Sequence, residues 1–257
     1  MTQKQPPIPG TRPQGVRDER EAALHVRDMF SRIAPRYDFL NHLLSFSLDH
    51  VWRRRTARAF LHILRRPQAR ILDLCCGTGD LALALDRARG ASGAGGWILG
   101  SDFVEPMLSR AKTKSQTGHR SVLFIAADAL HLPFPDASFD LITTAFGFRN
   151  LANYENGLHE IARVLKQGGE VGILEFSEPT SPGPMASLFR FYFKHILPRI
   201  GAAVSGNSEA YAYLPKSVFK FPSPSELLAL VEKCGFCEVG FTSWNFGSVI
   251  LYSAKRV

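Results

Sequence analysis

Three aspartates in this chain sit at or near the ends of short apolar runs, and two glycines follow the first of them. In Ala69–Asp80, ARILDLCCGTGD, the run Ile71, Leu72, Leu74 carries Asp73. Gly77 and Gly79 then let the backbone turn tightly and approach a ligand too closely for a Cβ. Asp73, four residues ahead of Gly77, is placed to hold a cationic amino group, directly or through water. Asp102 ends GWILGSD, 23 residues after Gly79, about the spacing at which a carboxylate accepts hydrogen bonds from ribose hydroxyls. Asp128 ends a third run in SVLFIAADA, where its carboxylate suits the amino group of adenine and the Ala129 N–H suits a ring nitrogen. With Thr78 between the glycines, these residues form one cofactor-binding set.

The set discriminates between cofactors. Gly77–Ala82, GTGDLA, also meets the G-x-G-x-x-G/A dinucleotide fingerprint, which keeps a nicotinamide oxidoreductase open. A dinucleotide gives Asp73 and Asp128 nothing to do. S-adenosyl-L-methionine carries both an α-amino group and a sulfonium, and it is the expected cofactor.

These residues need a scaffold that brings strand ends together. Apolar runs predict strands near 70–75, 97–101, 121–126, 138–145 and 169–176, alternating with helices. A helical region over about 20–66 precedes them, and a helix over about 223–234 follows. Two closing strands near 238–244 and 248–253 are joined by Asn245-Phe246-Gly247, while LKQGGEVGILEF reads as a helix end, a Gly-Gly turn and the fifth strand. The alternation implies an α/β fold, a mostly parallel Rossmann-like sheet with helices on both faces. Ligands then sit at the strands' carboxyl ends, where each of the three aspartates lies.

In this order the motifs resemble the class I S-adenosylmethionine-dependent methyltransferases over about residues 70–180, with Cys75 where many members have glycine. A narrower resemblance runs from about residue 25 to the carboxyl end. FSRIAPRYDFLNHLLSFSLDHVWRR, LDLCCGTGD, FGFRN and LPKSVFKFPSPSELLALVEKCGF together resemble the demethylmenaquinone methyltransferase family, shared with the ubiquinone-pathway enzyme. The resemblance implies a seven-stranded sheet with an antiparallel last strand. It also implies C-methylation of a demethylmenaquinol to menaquinol, with a ubiquinone-pathway benzoquinol as the alternative substrate. It points to Arg149, Asn150 and Tyr37 as the catalytic set.

Such a reaction needs the ring carbon in line with the S–CH₃ bond, water excluded, and the phenolate stabilised. Arg149 stays protonated, so it stabilises an anion or orients a water rather than acting as a direct base. Asn150 and Tyr37 can place that water or the substrate hydroxyl. His42, His50 and Asp49 form a second proton-handling set, and Asp38 can cap the helix that begins at Phe39. Two rivals remain beside the oxidoreductase. A nucleic-acid amino-methyltransferase generally carries an Asn/Asp-Pro-Pro-aromatic run after strand four, where this chain has Thr144-Ala145-Phe146-Gly147-Phe148. A non-catalytic pathway scaffold would bind cofactor without turnover.

Composition bounds the rest. The 257 residues, 45% hydrophobic and 21% charged, suit one domain over 18–257. Its parts are a helical cap (18–66), a cofactor core (67–180), a substrate or lid insertion (181–222) and a carboxyl-terminal helix and strands (223–257). Residues 1–17, rich in Pro, Gly and Gln, read as a disordered tail. No run of 18 uncharged apolar residues occurs, and there is no export signal, so a cytoplasmic protein is expected. Of the four cysteines, Cys234 and Cys237 flank a helix stop at Gly235 rather than forming a zinc site, and no metal is expected.

The net charge of +8, the arginines of Arg53–Arg66 and a basic aromatic helix over Met185–Ile200 point to peripheral contact with the inner membrane face. In that helix Met185, Phe189, Tyr192, Phe193, Ile196 and Ile200 share one face, and Pro198 ends or kinks it. A prenylated quinol is the expected partner and nucleic acid is not. A homodimer is one assembly the sequence allows.

Overall fold

The computed structural model describes residues 10–11, 13, 15–90, 95–118, 120–179, 183–196, 199 and 208–257. Seven strands form one sheet: β1 (Arg70–Leu74), β2 (Trp97–Asp102), β3 (Val122–Ala126), β4 (Phe139–Ala145), β5 (Leu165–Phe176), β6 (Phe236–Trp244) and β7 (Val249–Arg256). Their spatial order is β3-β2-β1-β4-β5-β7-β6. The neighbours from β3 to β5 are parallel, and β7 runs antiparallel to both β5 and β6. The order reverses at β1, the switch point where open α/β sheets bind ligands. There Asp73 is in register with Gly100 of β2 and Thr143 of β4.

Alternation along β1 sorts its side chains between two layers. Ile71 packs toward one side with Leu81, Leu85, Leu108 and Ala111 from α5 (Asp80–Arg89) and α6 (Glu105–Thr117). Leu72 and Leu74 pack toward the other with Leu158, Ile161, Leu227 and Val231 from α7 (Tyr154–Val164) and α10 (Pro224–Lys233). The strands lie within three residues of their expected positions except β5. That strand begins at Leu165, because Leu165 pairs with Phe139, and Gly168 (φ +71°) and Gly169 are taken up in an irregularity within the strand. The chain therefore passes from α7 straight into β5 rather than through a separate Gly-Gly turn.

The amino-terminal cap comprises α1 (Glu19–Ile33), α2 (Tyr37–Leu44), α3 (Leu48–Ala59) and the short α4 (Leu61–Leu64). Asp18 caps α1 by accepting the Glu21 N–H at 2.8 Å. Met29, Ile33, Leu40 and Leu44 of the cap pack on Val104 and Met107, Phe193 and Val218. Val218 lies on α9 (Ser208–Lys220).

Three expectations change. Gly10 and Thr11, inside the stretch read as a tail, are buried: the Thr11 N–H donates to Leu151 O at 2.7 Å, and its hydroxyl lies 3.0 Å from the Tyr213 hydroxyl. Residues 1–9, 12 and 14 lie outside the described residues. The helix expected over Met185–Ile200 is α8 (Pro184–Phe191) followed by a π turn over Tyr192–Ile196. Phe193 is buried there, whereas Leu188 and Phe191 are exposed; Ile200 and Pro198 lie outside the described residues. Finally, the arginines of Arg53–Arg66 divide: Arg53, Arg54, Arg58 and Arg65 line one cleft, and Arg55 does not. Arg53 is buried and ion-paired with Asp49 and Asp80, while Arg55 lies over the Trp244 ring. No helix among the described residues is long and apolar enough to cross a membrane.

Candidate active site

Two cavities meet at the carboxyl ends of β1, β2 and β4, and Tyr37 and Phe146 line both. The first is bounded by Gly77, Asp102, Asp128, Ala129 and Asn150. A small cleft beside it adds Asp73 and Thr78. The second is aromatic, with Trp52, Phe176 and Phe193 around Arg149. Of the ten residues singled out from sequence, Gly79 alone lines none of these spaces. A Cβ there would fall 2.9 Å from the Phe124 ring, so Gly79 serves the close packing of the turn.

The first cavity is built from strand ends. Asp102 is almost buried at the end of β2, and it accepts the Gly77 N–H at 2.8 Å and the Val104 N–H at 2.9 Å. Burial pushes its pKa up to about 6 against those two backbone donors. Asp73 is fully buried; its Oδ1 accepts the Thr143 hydroxyl at 2.9 Å, and its Oδ2 has no hydrogen-bond partner among the described residues. Burial raises its pKa to about 7. Asp128 is half exposed and accepts the Leu130 N–H at 2.9 Å, next to the buried Ala129.

Cys75 has φ +51°, a left-handed conformation that disfavours a side chain. Its Cβ has room because residue 147 is glycine: a Cβ on Gly147 would lie 2.5 Å from that of Cys75. Thr78 faces elsewhere. Its hydroxyl donates to Asp38 at 2.5 Å and receives the Lys114 ammonium at 2.9 Å. Lys114 also holds Asp38 at 2.8 Å and Asp80 at 2.6 Å. Thr78 thus ties the glycine turn to the first turn of α2, next to Tyr37, and Asp38 takes part in that tie.

The second cavity is built from packing between distant segments. Arg149 is buried, its Nη1 donates to Glu175 Oε2 at 2.8 Å and to Phe146 O, and its backbone N–H donates to Glu175 Oε1 at 3.0 Å. Burial would lower the guanidinium pKa, but the Glu175 charge and hydrogen bond outweigh it and leave it raised. Glu175 is wholly buried near the end of β5. Asn150 receives the Tyr213 O–H on its Oδ1 at 3.0 Å. Burial raises the Tyr37 pKa, so its phenol stays protonated near neutral pH.

The second proton-handling set also comes together. Asp49 accepts from His42 Nδ1 at 2.8 Å, from the Ser45 hydroxyl at 2.8 Å and from Arg53, and the His42 and His50 rings stack at 4.3 Å.

A model of the ubiE/COQ5 methyltransferase family matches residues 14–256. The chain belongs to the ubiE/COQ5 methyltransferase family. It is 48% identical over 223 residues to the demethylmenaquinone methyltransferase of Deinococcus radiodurans, covering 86% of this chain and 88% of that one. It is 47% identical over 229 residues to that of Thermus thermophilus, covering 89% and 100%. The ubiquinone/menaquinone biosynthesis C-methyltransferase of Geobacter sulfurreducens is 42% identical over 92% of this chain and 90% of its own length. Among solved structures, a SAM-dependent methyltransferase from Aquifex aeolicus superposes with TM-score 0.59 at 19% identity over 86% of this chain and 98% of its own, which establishes the class I methyltransferase fold.

As a site of the ubiE/COQ5 methyltransferase family, the first cavity fits S-adenosyl-L-methionine on one observation above others. In the cleft beside it, the Asp73 Oδ2 makes no hydrogen bond among the described residues, the Ala82 N–H being the backbone donor near that carboxylate, and it offers the kind of acceptor a cationic amino group needs. Sequence reasoning missed three supporting residues. Glu175 carried the same signal as Asp73, an acid inside an apolar strand run, GILEF. Tyr213 and Lys114 carried none, because each acts through a contact that only the fold creates.

Proposed function

We propose that this chain methylates a ring carbon of a prenylated demethylmenaquinol, giving menaquinol, with S-adenosyl-L-methionine in the first cavity and the quinol ring in the second. The observation that carries the reading is the adjacency: a largely apolar cavity bearing the strand-end acids Asp102 and Asp128 adjoins an aromatic cavity lined by Arg149, with Tyr37 and Phe146 common to both. When bound, S-adenosyl-L-methionine supplies an electrophilic methyl group on a sulfonium.

The protein's own residues do the rest. Asp73 takes the amino group, Asp102 the ribose hydroxyls, and Asp128 with the Ala129 N–H the adenine edge. Gly77 allows close approach. Arg149, held by Glu175, stabilises the quinolate oxygen, and Asn150, oriented by Tyr213, places a water or the hydroxyl beside Tyr37. The aromatic walls exclude bulk water, which strengthens each of these interactions. The test is incubation with methyl-labelled S-adenosyl-L-methionine and a panel of demethylated naphthoquinols and benzoquinols, read by mass spectrometry. Label on the naphthoquinol ring is expected. Label confined to the benzoquinol moves the substrate to the ubiquinone pathway, and no label on any quinol overturns the reading.

The reading includes a cytoplasmic enzyme in peripheral contact with an anionic membrane face, where a prenylated substrate resides. Phe39, Leu43, Phe46 and Leu48 are exposed along α2, the turn after it and the start of α3, and Phe46 and Leu48 also line the second cavity. This apolar rim supports entry of a prenyl tail from a bilayer. Sedimentation with anionic liposomes is expected at low salt and to weaken at high salt; no binding at low salt removes the membrane claim alone.

A further inference from the structure

The second cavity contains a carboxylate that the methyl-transfer scheme leaves idle. Asp49 of α3 is the acid among the residues lining that cavity, and it is 3% exposed. Its Oδ2 is taken by His42 Nδ1 and by Arg53, while its Oδ1 carries one described donor, the Ser45 hydroxyl. A carboxylate has about four lone-pair sites, so Oδ1 retains capacity for another donor. Burial would push the Asp49 pKa up, but the Arg53 charge, the Ser45 and Arg53 hydrogen bonds and the His42 ring outweigh it and hold it below its ordinary value. Beyond Arg53, the titratable groups around this carboxylate are Asp80, which faces Arg53 at 3.7 Å, His42, and His50, whose ring stacks on that of His42.

An ionised carboxylate accepts hydrogen bonds and cannot donate them. A hydroquinone ring offers two O–H donors, whereas the oxidised quinone offers two carbonyl acceptors. Against Asp49, the first gains a charge-assisted hydrogen bond in a largely apolar cavity, and the second meets electrostatic repulsion. Arg149 does not make this distinction, because a guanidinium donates to a hydroxyl, a phenolate or a carbonyl oxygen alike. We propose that Asp49 is a specificity-determining residue that makes the second cavity select the hydroquinone over the quinone by accepting a ring hydroxyl. The proposal rests on the reading that this cavity holds the ring. It adds a reason why the reactive redox form is the form bound.

The test is binding rather than turnover. Equilibrium dialysis is run on the full chain loaded with S-adenosylhomocysteine, using a short-tailed demethylnaphthoquinone in its oxidised form and as the dithionite-reduced quinol. Wild type is expected to bind the quinol at least about tenfold more tightly, the factor typical of losing one charge-assisted hydrogen bond. Asp49→Asn presents an amide that can also donate, so the preference should fall to within about threefold while S-adenosylhomocysteine affinity holds. Should the single variant fail to fold, Asp49→Asn with Arg53→Gln removes the buried cation that has lost its closer carboxylate and reads the same ratio. Ser45→Ala keeps the carboxylate and should keep the preference. Equal binding of both redox forms by wild type, or an undiminished preference in either Asp49 variant, overturns the proposal and leaves the methyl-transfer reading standing. Quinol binding nowhere on the wild-type chain overturns both.

Discussion

The cofactor-side cavity and the ring-side cavity share a wall but come from different sources of order. In the first, Asp73 and Asp102 stand on neighbouring parallel strands, and sheet register alone brings them to one edge. In the second, Trp52 comes from the cap, Arg149 from the turn after β4, Phe176 from β5 and Phe193 from the segment after α8, and only tertiary packing assembles them. The difference is that strand register alone places the first set of side chains, while the second depends on a chain of tertiary contacts. The cap is tied down by Lys114, Asp38 and Thr78, and Arg149 by Glu175.

The sharpest way to separate the two regions is at Arg149. Arg149→Ala should lower kcat by about 10²-fold or more, as loss of a group stabilising developing anionic charge does, with S-adenosylhomocysteine affinity unchanged in a calorimeter. Arg149→Lys should also be impaired, because Nη1 makes both the Glu175 and the Phe146 O contacts, and an ammonium held by them leaves no second nitrogen for the ring oxygen. An unimpaired kcat in the alanine variant would remove Arg149 from the mechanism.

The converse change lies in the first cavity. Asp102→Ala should weaken S-adenosylhomocysteine by roughly 1–3 kcal/mol, since two ribose hydroxyls lose their acceptor. Its effect on quinol affinity should be small. Tight NADH binding with no S-adenosylhomocysteine binding would replace the cofactor.

Proton linkage distinguishes the regions more finely. Asp73 and Asp102 titrate near 7 and near 6 because burial raises both. A carboxyl whose folded pKa is raised binds more protons folded than unfolded, so these two groups favour the unliganded fold below about pH 4. That contribution is lost as pH rises toward 7. A cationic amino group favours the ionised carboxylate, so S-adenosylhomocysteine should bind more tightly as pH climbs from 5 to 7, with proton release on binding. Calorimetry in buffers of different ionisation enthalpy reads this directly; proton uptake, or a flat pH profile, would place the amino group elsewhere.

The smallest effect expected is at Tyr213. Tyr213→Phe removes one donor from Asn150 and should reduce kcat severalfold while leaving cofactor affinity alone. An unchanged kcat would detach Asn150 from the reaction.

This contrast also explains what could be read before the fold was known. Strands declare themselves through short apolar runs, and the acids at their ends through spacing, so Asp73, Asp102 and Asp128 were legible together with the sheet. The start of β5 was not, because pairing of Leu165 with Phe139 overrides the turn preference of Gly168 and Gly169. Thr78 sits in the cofactor turn by sequence, but its hydroxyl answers to Asp38 and Lys114. Gly10 and Thr11 look like tail by composition, yet a Cβ on Gly10 would lie 2.2 Å from Ala152 C, a fit that no local rule foretells. Arg53, grouped by sequence with its exposed neighbours, is drawn inward by Asp49 and Asp80.

The division of labour between the cavities is tested most directly by a crystal structure of the ternary complex with S-adenosylhomocysteine and a demethylated naphthoquinol. The account predicts the adenosyl group between Asp102 and Asp128, its amino group on Asp73, and the ring among Trp52, Phe176 and Arg149, with the sulfur facing the ring across Tyr37 and Phe146. A ring seated in the first cavity, or an adenosyl group away from Asp102, would contradict it.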